Sequence, residues 1–249
     1  MISVQKTLKL AASLVALSIC AQQAHAAIAL DRTRVIYDGA KNSMSVTITN
    51  QNKALPYLAQ SWIDDVNGNK IQSPLMALPP VQRVEPGAKG QVKIQVSGAQ
   101  SLPQDRESLF YFNVREIPPK SNKPNTLQLA LQTRVKLFYR PKGLQLPENG
   151  ENEMQKQLTL VRAGDGYQLT NPTPYFVTVI TAGPSEQGDG IKDFKPVMVS
   201  PKSNISLGAN ASALGAHPVL TFINDFGGRP KLIFNCSGNT CAVDHVKAG

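Results

Sequence analysis

Cysteine and histidine are scarce in this chain of 249 residues, which has three of each. Cys20 falls in an N-terminal apolar run, so Cys236 and Cys241 are the pair left in the body of the chain. Their spacing is not the C-x-x-C of redox proteins, and His217 and His245 are not spaced like a metal-ligand pair. There is no G-x-S-x-G elbow, no H-E-x-x-H and no phosphate-binding loop. The residues therefore give no reason to expect an enzyme, a metal or a cofactor. Long apolar runs are missing too: LAASLVALSICA (10–21) is too short to cross a bilayer. After it, no helical stripe exceeds two turns. Clusters of one charge sign are also absent. The net charge is +9, but lysine and arginine are spread along the chain, which argues against nucleic acid and for a solvated surface.

What the N-terminus does have is an export signal. Lys6 and Lys9 precede the apolar run, and Ala24-His25-Ala26 forms an A-x-A cleavage site, so residues 1–26 read as a signal peptide with the mature chain starting at Ala27. A lipoprotein site at Cys20 is disfavoured because Ile19 stands where a small residue is needed. In an exported chain, an even number of remaining cysteines implies a disulfide, with Ser-Gly-Asn-Thr between Cys236 and Cys241 supplying the turn. The N-x-[ST] sequons at Asn204, Asn210 and Asn235 are a frequent coincidental match.

The body of the chain reads as all-β. Short β-branched and aromatic runs recur between Asn, Asp, Gly and Pro, with 18 glycines and 18 prolines. In ESLFYFNVREI, Phe110, Phe112 and Val114 alternate with Leu109, Tyr111 and Asn113. In TLQLALQTRVKLFYR, Leu127, Leu129, Leu131 and Thr133 alternate with Gln128, Ala130, Gln132 and Arg134. Period-two alternation marks strands, and PPKSNKPN (118–125) would join the two as a hairpin-like pair. Further candidates are IALDRTRVIYD, SMSVTITNQ, YLAQSWIDD and QRVEPGAKGQVKIQV before residue 141, and QLTLVRAGDGYQLT, PYFVTVITAG, FKPVMVSP, SNISL, HPVLTFIND and RPKLIFNC after it. PKGLQLPENGENE (141–153) breaks the pattern and divides the chain into domains at 27–146 and 147–249. Each has the size of one immunoglobulin-like sandwich. Asp64-Asp65 before Asn67-Gly68 reads as a solvated turn, and Asn-Asp followed by Gly227-Gly228 as another. On residues alone, Leu127, Leu129 and Leu131 would face their own core.

Several segments resemble the periplasmic pilus chaperones, the PapD-like family. They are LDRTRVIYDG (30–39), LPYLAQSWI (55–63), PPVQRVEPGAKGQV (79–92), LPQDRESLFYFNVREIPP (102–119), TLQLALQTRVKLFYRP (126–141), NPTPYFVTV (171–179) and TFINDFGGRP (221–230), in family order over nearly the whole mature chain. The resemblance implies two immunoglobulin-like β-sandwich domains in a boomerang arrangement with an interdomain cleft. It implies a chaperone that binds, folds and caps pilus (fimbrial) subunits by donor-strand complementation and delivers them to an outer-membrane usher. Leu127, Leu129 and Leu131 would then be the donor row, reversing the core reading. Arg34 and Lys136 match the pair that anchors a subunit's C-terminal carboxylate. Glu107, Arg140 and Asp225 match an interdomain salt-bridge triad. The loop before the donor strand has the length of the short-loop subgroup. Leu58, Pro79, Pro80 and Lys93 match the usher-facing surface, with Lys93 where close relatives have arginine. An edge strand kept ready for a client would also make the free protein self-associate weakly through 127–133. The rival from another class is a secreted carbohydrate-binding or adhesive β-sandwich protein, followed by a pilus subunit and an exported hydrolase.

Overall fold

The computed structural model describes residues 26–147, 150, 152–188 and 190–249, so the expected signal peptide lies, up to residue 25, outside the described residues. The first domain holds β1 (Ile28–Leu30), β2 (Arg34–Asp38), β3 (Ser43–Asn50), β4 (Tyr57–Asp64), β5 (Lys70–Ile71), β6 (Leu75–Leu78), β7 (Val81–Val84), β8 (Lys89–Val96), β9 (Ser108–Ile117) and β10 (Gln132–Arg140). One sheet runs β1-β3-β8-β6 and the other β2-β10-β9-β4-β5, with β7 also on β4. The inward residues of the two sheets, among them Val35, Ile48, Ile63, Ile94, Phe112 and Leu137, are fully buried in one core. Alternation in each strand sends one set of side chains inward and the other outward, as a sandwich requires.

IALDRTRVIYD, expected as one strand, is two. β1 pairs antiparallel with β3 in one sheet, whereas β2 pairs parallel with β10 in the other. The chain changes sheets at Asp31–Thr33, where an Asp31–Arg32 ion pair and the Asp31 amide bonded to the Thr47 carbonyl hold the crossing. QRVEPGAKGQVKIQV is likewise split into β7 and β8 by the turn through Pro86-Gly87.

The second domain has β11 (Thr159–Ala163), β12 (Gly166–Asn171), β13 (Val177–Gly183), β14 (Val197–Val199), β15 (Ser203–Asn210), the short helix α1 (Ala211–Leu214), β16 (Val219–Ile223), β17 (Lys231–Ser237) and β18 (Thr240–Lys247). They follow the order β14-β13-β16-β17-β18-β11-β12-β15 around a core that includes Leu160, Leu169, Val179, Phe222, Leu232 and Phe234. QLTLVRAGDGYQLT proves to be the β11–β12 hairpin, and β18 lies beyond the expected strands. Cys236 and Cys241 are cross-strand neighbours on β17 and β18 and form a disulfide.

Each domain contains one fully buried asparagine at a strand end. Asn50, closing β3, donates from Nδ2 to the carbonyls of Leu55 and Val84 and accepts from the Asn52 amide. Asn171, closing β12, donates to the carbonyls of Tyr175 and Ser200 and accepts from the Thr173 amide and hydroxyl. An unpaired buried amide is costly, so such a fully bonded side chain fixes the loops that it joins.

Candidate functional site

The site is organised by β10. Its odd residues Leu137 and Tyr139 belong to the first-domain core, with Val135 packed against it. Its even residues Lys136, Phe138 and Arg140 face the second domain. Phe138 packs on Phe176 with ring centroids 5.5 Å apart. Lys136 Nζ donates to Thr178 Oγ1 at 3.3 Å.

Arg140 makes the joint between the domains. Its Nη2 lies 2.8 Å from Glu107 Oε1 and its Nη1 2.8 Å from Asp225 Oδ2, and its guanidinium sits 4.9 Å from the centre of the Tyr175 ring. The other Glu107 oxygen accepts the Phe176 amide at 2.8 Å, and the Glu107 amide donates to the Pro174 carbonyl. Burial would lower the pKa of Arg140, but the bonds and charges of Asp225 and Glu107 raise it. The sequence places Asp225 through a tight turn. Asn224 Oδ1 accepts the Phe226 and Gly228 amides, and Gly227 takes a positive φ of 86° where a Cβ would lie 2.8 Å from Thr33 Oγ1. Only glycine lets that turn press on the first domain.

Arg34 and Lys136 are direct neighbours on the parallel strands β2 and β10. Arg34 is 9 % exposed. Its Nη1 donates to the Ile223 carbonyl at 3.0 Å, and its buried Nε has no hydrogen-bond partner. Burial lowers the pKa of Arg34, against the pull of Asp225 and Glu107. Burial also lowers that of Lys136, and the neighbouring Arg34 charge adds to it. Among the described residues neither cation forms an ion pair, although two like charges stand side by side in low dielectric. Such a pair is short of one anion. Thr33, Arg34 and Ile36 line a hollow with Asp225 and Phe226 of the second domain.

The leucine row is not in a strand, which corrects the expected strand over 126–141. β10 begins at Gln132, and Leu127, Leu129 and Leu131 are 83, 67 and 41 % exposed. The reason lies in the partner strand. β9 pairs Gln132 with Arg115, and the Glu116 amide still reaches the Leu131 carbonyl at 3.0 Å. Continuing that register sets Leu129 and Gln128 opposite Pro118 and Pro119. Proline has no N–H to donate, so the ladder stops there. Gln128 Nε2 instead caps the Pro119 carbonyl. The loop is thereby longer than the expected 118–125. The leucines keep the parity of Leu137 and Tyr139, so they prolong the core stripe past the end of the sandwich into solvent. β2 begins only opposite Lys136, leaving residues 132–135 of β10 paired on the β9 side alone.

Leu58, Pro79, Pro80 and Lys93 are all exposed. Leu58 is on β4, Lys93 is on β8 beside Leu78, and the two prolines connect β6 to β7. Leu55, in the matched segment LPYLAQSWI, adds exposed apolar surface, as do Leu78 and Val81, which the sequence does not single out. Asp64, expected in a solvated turn with Asp65, is instead buried. It accepts from Trp62 Nε1 at 2.8 Å and Asn113 Nδ2 at 2.9 Å. Asp65 does cap the turn, accepting the Asn67 and Asn69 amides.

The family described as pili and flagellar-assembly chaperone, PapD N-terminal domain, matches residues 27–145, and the pili assembly chaperone PapD C-terminal domain matches 153–234. The chain belongs to the PapD-like pilus chaperone family. It is 51 % identical to the chaperone protein PapD of Escherichia coli over 226 residues, covering 90 % of this chain and 92 % of that one. It is 49 % identical to the probable fimbrial chaperone YfcS of E. coli K12, covering 93 and 92 %. Among solved structures it is similar to that of the Salmonella enterica SafA pilin in complex with the SafB chaperone. There the TM-score is 0.65 and the identity 25 %, covering 82 % of this chain and 93 % of that one. Membership accounts for the two sandwiches joined through Arg140, and it turns attention to what this PapD-like chain leaves open: an unpaired stretch of backbone, a row of exposed leucines, and a buried and a half-buried cation side by side.

Proposed function

We propose that this chain is a periplasmic chaperone that captures incomplete pilus subunits by donor-strand complementation and hands them to an outer-membrane usher. The observation that carries the reading is the adjacent pair of buried Arg34 and half-buried Lys136, without an ion-pair partner among the described residues, next to the open edge of β10. A subunit's C-terminal carboxylate supplies that anion. The Arg34 guanidinium and the Lys136 ammonium can both donate to it.

On this reading the direction of the client strand follows. The client chain ends at Lys136, so its preceding residues run back along 135 to 127. Client and donor therefore point the same way, and the added strand is parallel to β10. Its backbone takes the N–H and C=O groups that β2 leaves free, and Leu127, Leu129 and Leu131 enter the client's groove. Burying each leucine contributes roughly 1.5–3 kcal/mol. Backbone pairing alone slips easily, whereas a charged end fixed on two cations sets the register. The exposed surface of Leu58, Pro79, Pro80 and Lys93 is assigned to the usher. The relatives' names and the pilin held by SafB support this reading over a glycan-binding sandwich.

The test is capture in the periplasm. Arg34→Ala should leave the chaperone folded and lower recovery of a co-expressed incomplete pilin by ~30-fold or more, because removing one partner of a desolvated charge pair costs about 2–5 kcal/mol. Unchanged recovery refutes the anchor.

A further inference from the structure

Besides Asp64, one buried carboxylate lies outside both the domain joint and the client site. Glu116, near the end of β9, is 5 % exposed. Among the described residues no lysine, arginine or histidine forms an ion pair with it. Its Oε2 accepts the backbone N–H of Ile28 at 2.9 Å. One neutral donor compensates a buried carboxylate poorly. The residue before Ile28 is Ala27, itself buried, with its carbonyl bonded by the Gln51 amide at 2.7 Å. Ile28 is in register with Asn50 on β3. The start of β1 is thus held in place beside Glu116. Successive backbone nitrogens lie roughly 3–4 Å apart, so the nitrogen of Ala27 lies no more than roughly 7 Å from Glu116 Oε2.

Ala27 is also the residue that cleavage at Ala24-His25-Ala26 would make the first of the mature chain. We propose that Glu116 is a buried receptor for the α-ammonium of Ala27, and that its charge is balanced only once the leader has been removed. Hydrolysis of the Ala26–Ala27 bond replaces a neutral amide by an ammonium and leaves the new carboxylate on the departing leader. The Glu116 side chain gains the cation that no other described residue supplies. Its own amide is the one that holds the Leu131 carbonyl, so the same residue ties the processed N-terminus to the root of the leucine arm. Processing therefore firms up the arm.

The test uses exported, disulfide-bonded protein whose N-terminus is read by intact mass. Four chains are melted: those starting at Ala27 and those bearing a Ser-Gly-Ser extension, each with Glu116 or Glu116→Gln. The extension moves the ammonium by roughly 10 Å, and glutamine keeps an acceptor for Ile28. Glu116→Gln should lower Tm by about 4 °C or more in the chain starting at Ala27 and leave it unchanged or raised in the extended chain. The extension alone should lower Tm of the Glu116 chain, which serves if the glutamine variant does not fold. Equal effects of Glu116→Gln in both backgrounds, an extension without effect, or a mature chain that starts elsewhere than Ala27 would each overturn the proposal.

Discussion

Two sites built around cations lie two turns of the pleat apart on one face of β10, and they are built in opposite ways. Arg140 is closed off by Glu107, Asp225 and the Tyr175 ring. Arg34 and Lys136 have only a carbonyl and a hydroxyl between them. In the first arrangement two carboxylates close on one guanidinium, so its cation is fully paired, and the cluster spans both domains. It is a joint. The second leaves charge unbalanced, so it is stable only because the surrounding sandwich holds it, and it gains most from an incoming anion. A charge cluster that completes itself holds a structure together, and the one that stays incomplete is where we propose that a client's carboxylate docks.

That contrast can be broken at the joint first. Arg140→Met should leave Glu107 buried without its cation and destabilise the protein by about 3–5 kcal/mol. Calorimetry should also show the two domains melting apart. A single unshifted transition would mean that Arg140 does not couple them. Next comes the arm. Leu129→Glu should cut subunit capture about tenfold or more, since an unpaired carboxylate enters the client's groove, while Tm stays where it was because Leu129 is exposed in the free chain. A collapse of Tm would return the leucines to the core. The smaller effect concerns the open site. Lys136→Met removes an uncompensated charge and should raise Tm of the free protein slightly while abolishing capture. The same physics gives a pH dependence. Folding lowers the lysine pKa below its ordinary 10.5, so in the alkaline range just under that value the unfolded chain binds more protons. Stability should then rise with pH there, and the rise should shrink in Lys136→Met. Melts from neutral to alkaline pH of both proteins check this. The smallest effect is weak self-association of the free chain through residues 127–133. Sedimentation over a wide concentration range should show it, and a strict monomer at high concentration would exclude it.

The sequence reading was strongest where a local rule meets no competitor. Phe110, Phe112 and Val114 alternate, and they do lie in the core. It went wrong where the answer belongs to another strand. Nothing in TLQLALQTR says that its leucine half is unpaired, because the cause is Pro118-Pro119 on the facing side of the hairpin. Asp31–Thr33 look like part of a strand, yet they carry the chain from one sheet to the other. Asp64 was grouped with its neighbour Asp65, although one closes a strand under Trp62 and the other caps the turn. The cations of the open site came from resemblance. Parity alone could have put Lys136 and Arg140 on one face, but not Arg34 beside them, which needs the parallel pairing of β2 with β10. Glu116 gave no signal at all, since its neighbour Ile28 is 88 residues away.

The two buried asparagines have a consequence for the whole chain. Asn50 ends a strand flanked by β1 and β8, and it grips the carbonyl just before β8's turn. Asn171 ends a strand flanked by β11 and β15, and it grips the carbonyl just before β15. The three strands β1, β3 and β8 of one domain therefore map onto β11, β12 and β15 of the other, corner for corner. Beyond that shared corner the halves diverge: the first closes into two sheets with β2 parallel to β10, whereas the second runs on as one sheet with β18 antiparallel to β11. To the common corner the first half adds a proline-stopped hairpin and two adjacent cations, and the second a disulfide.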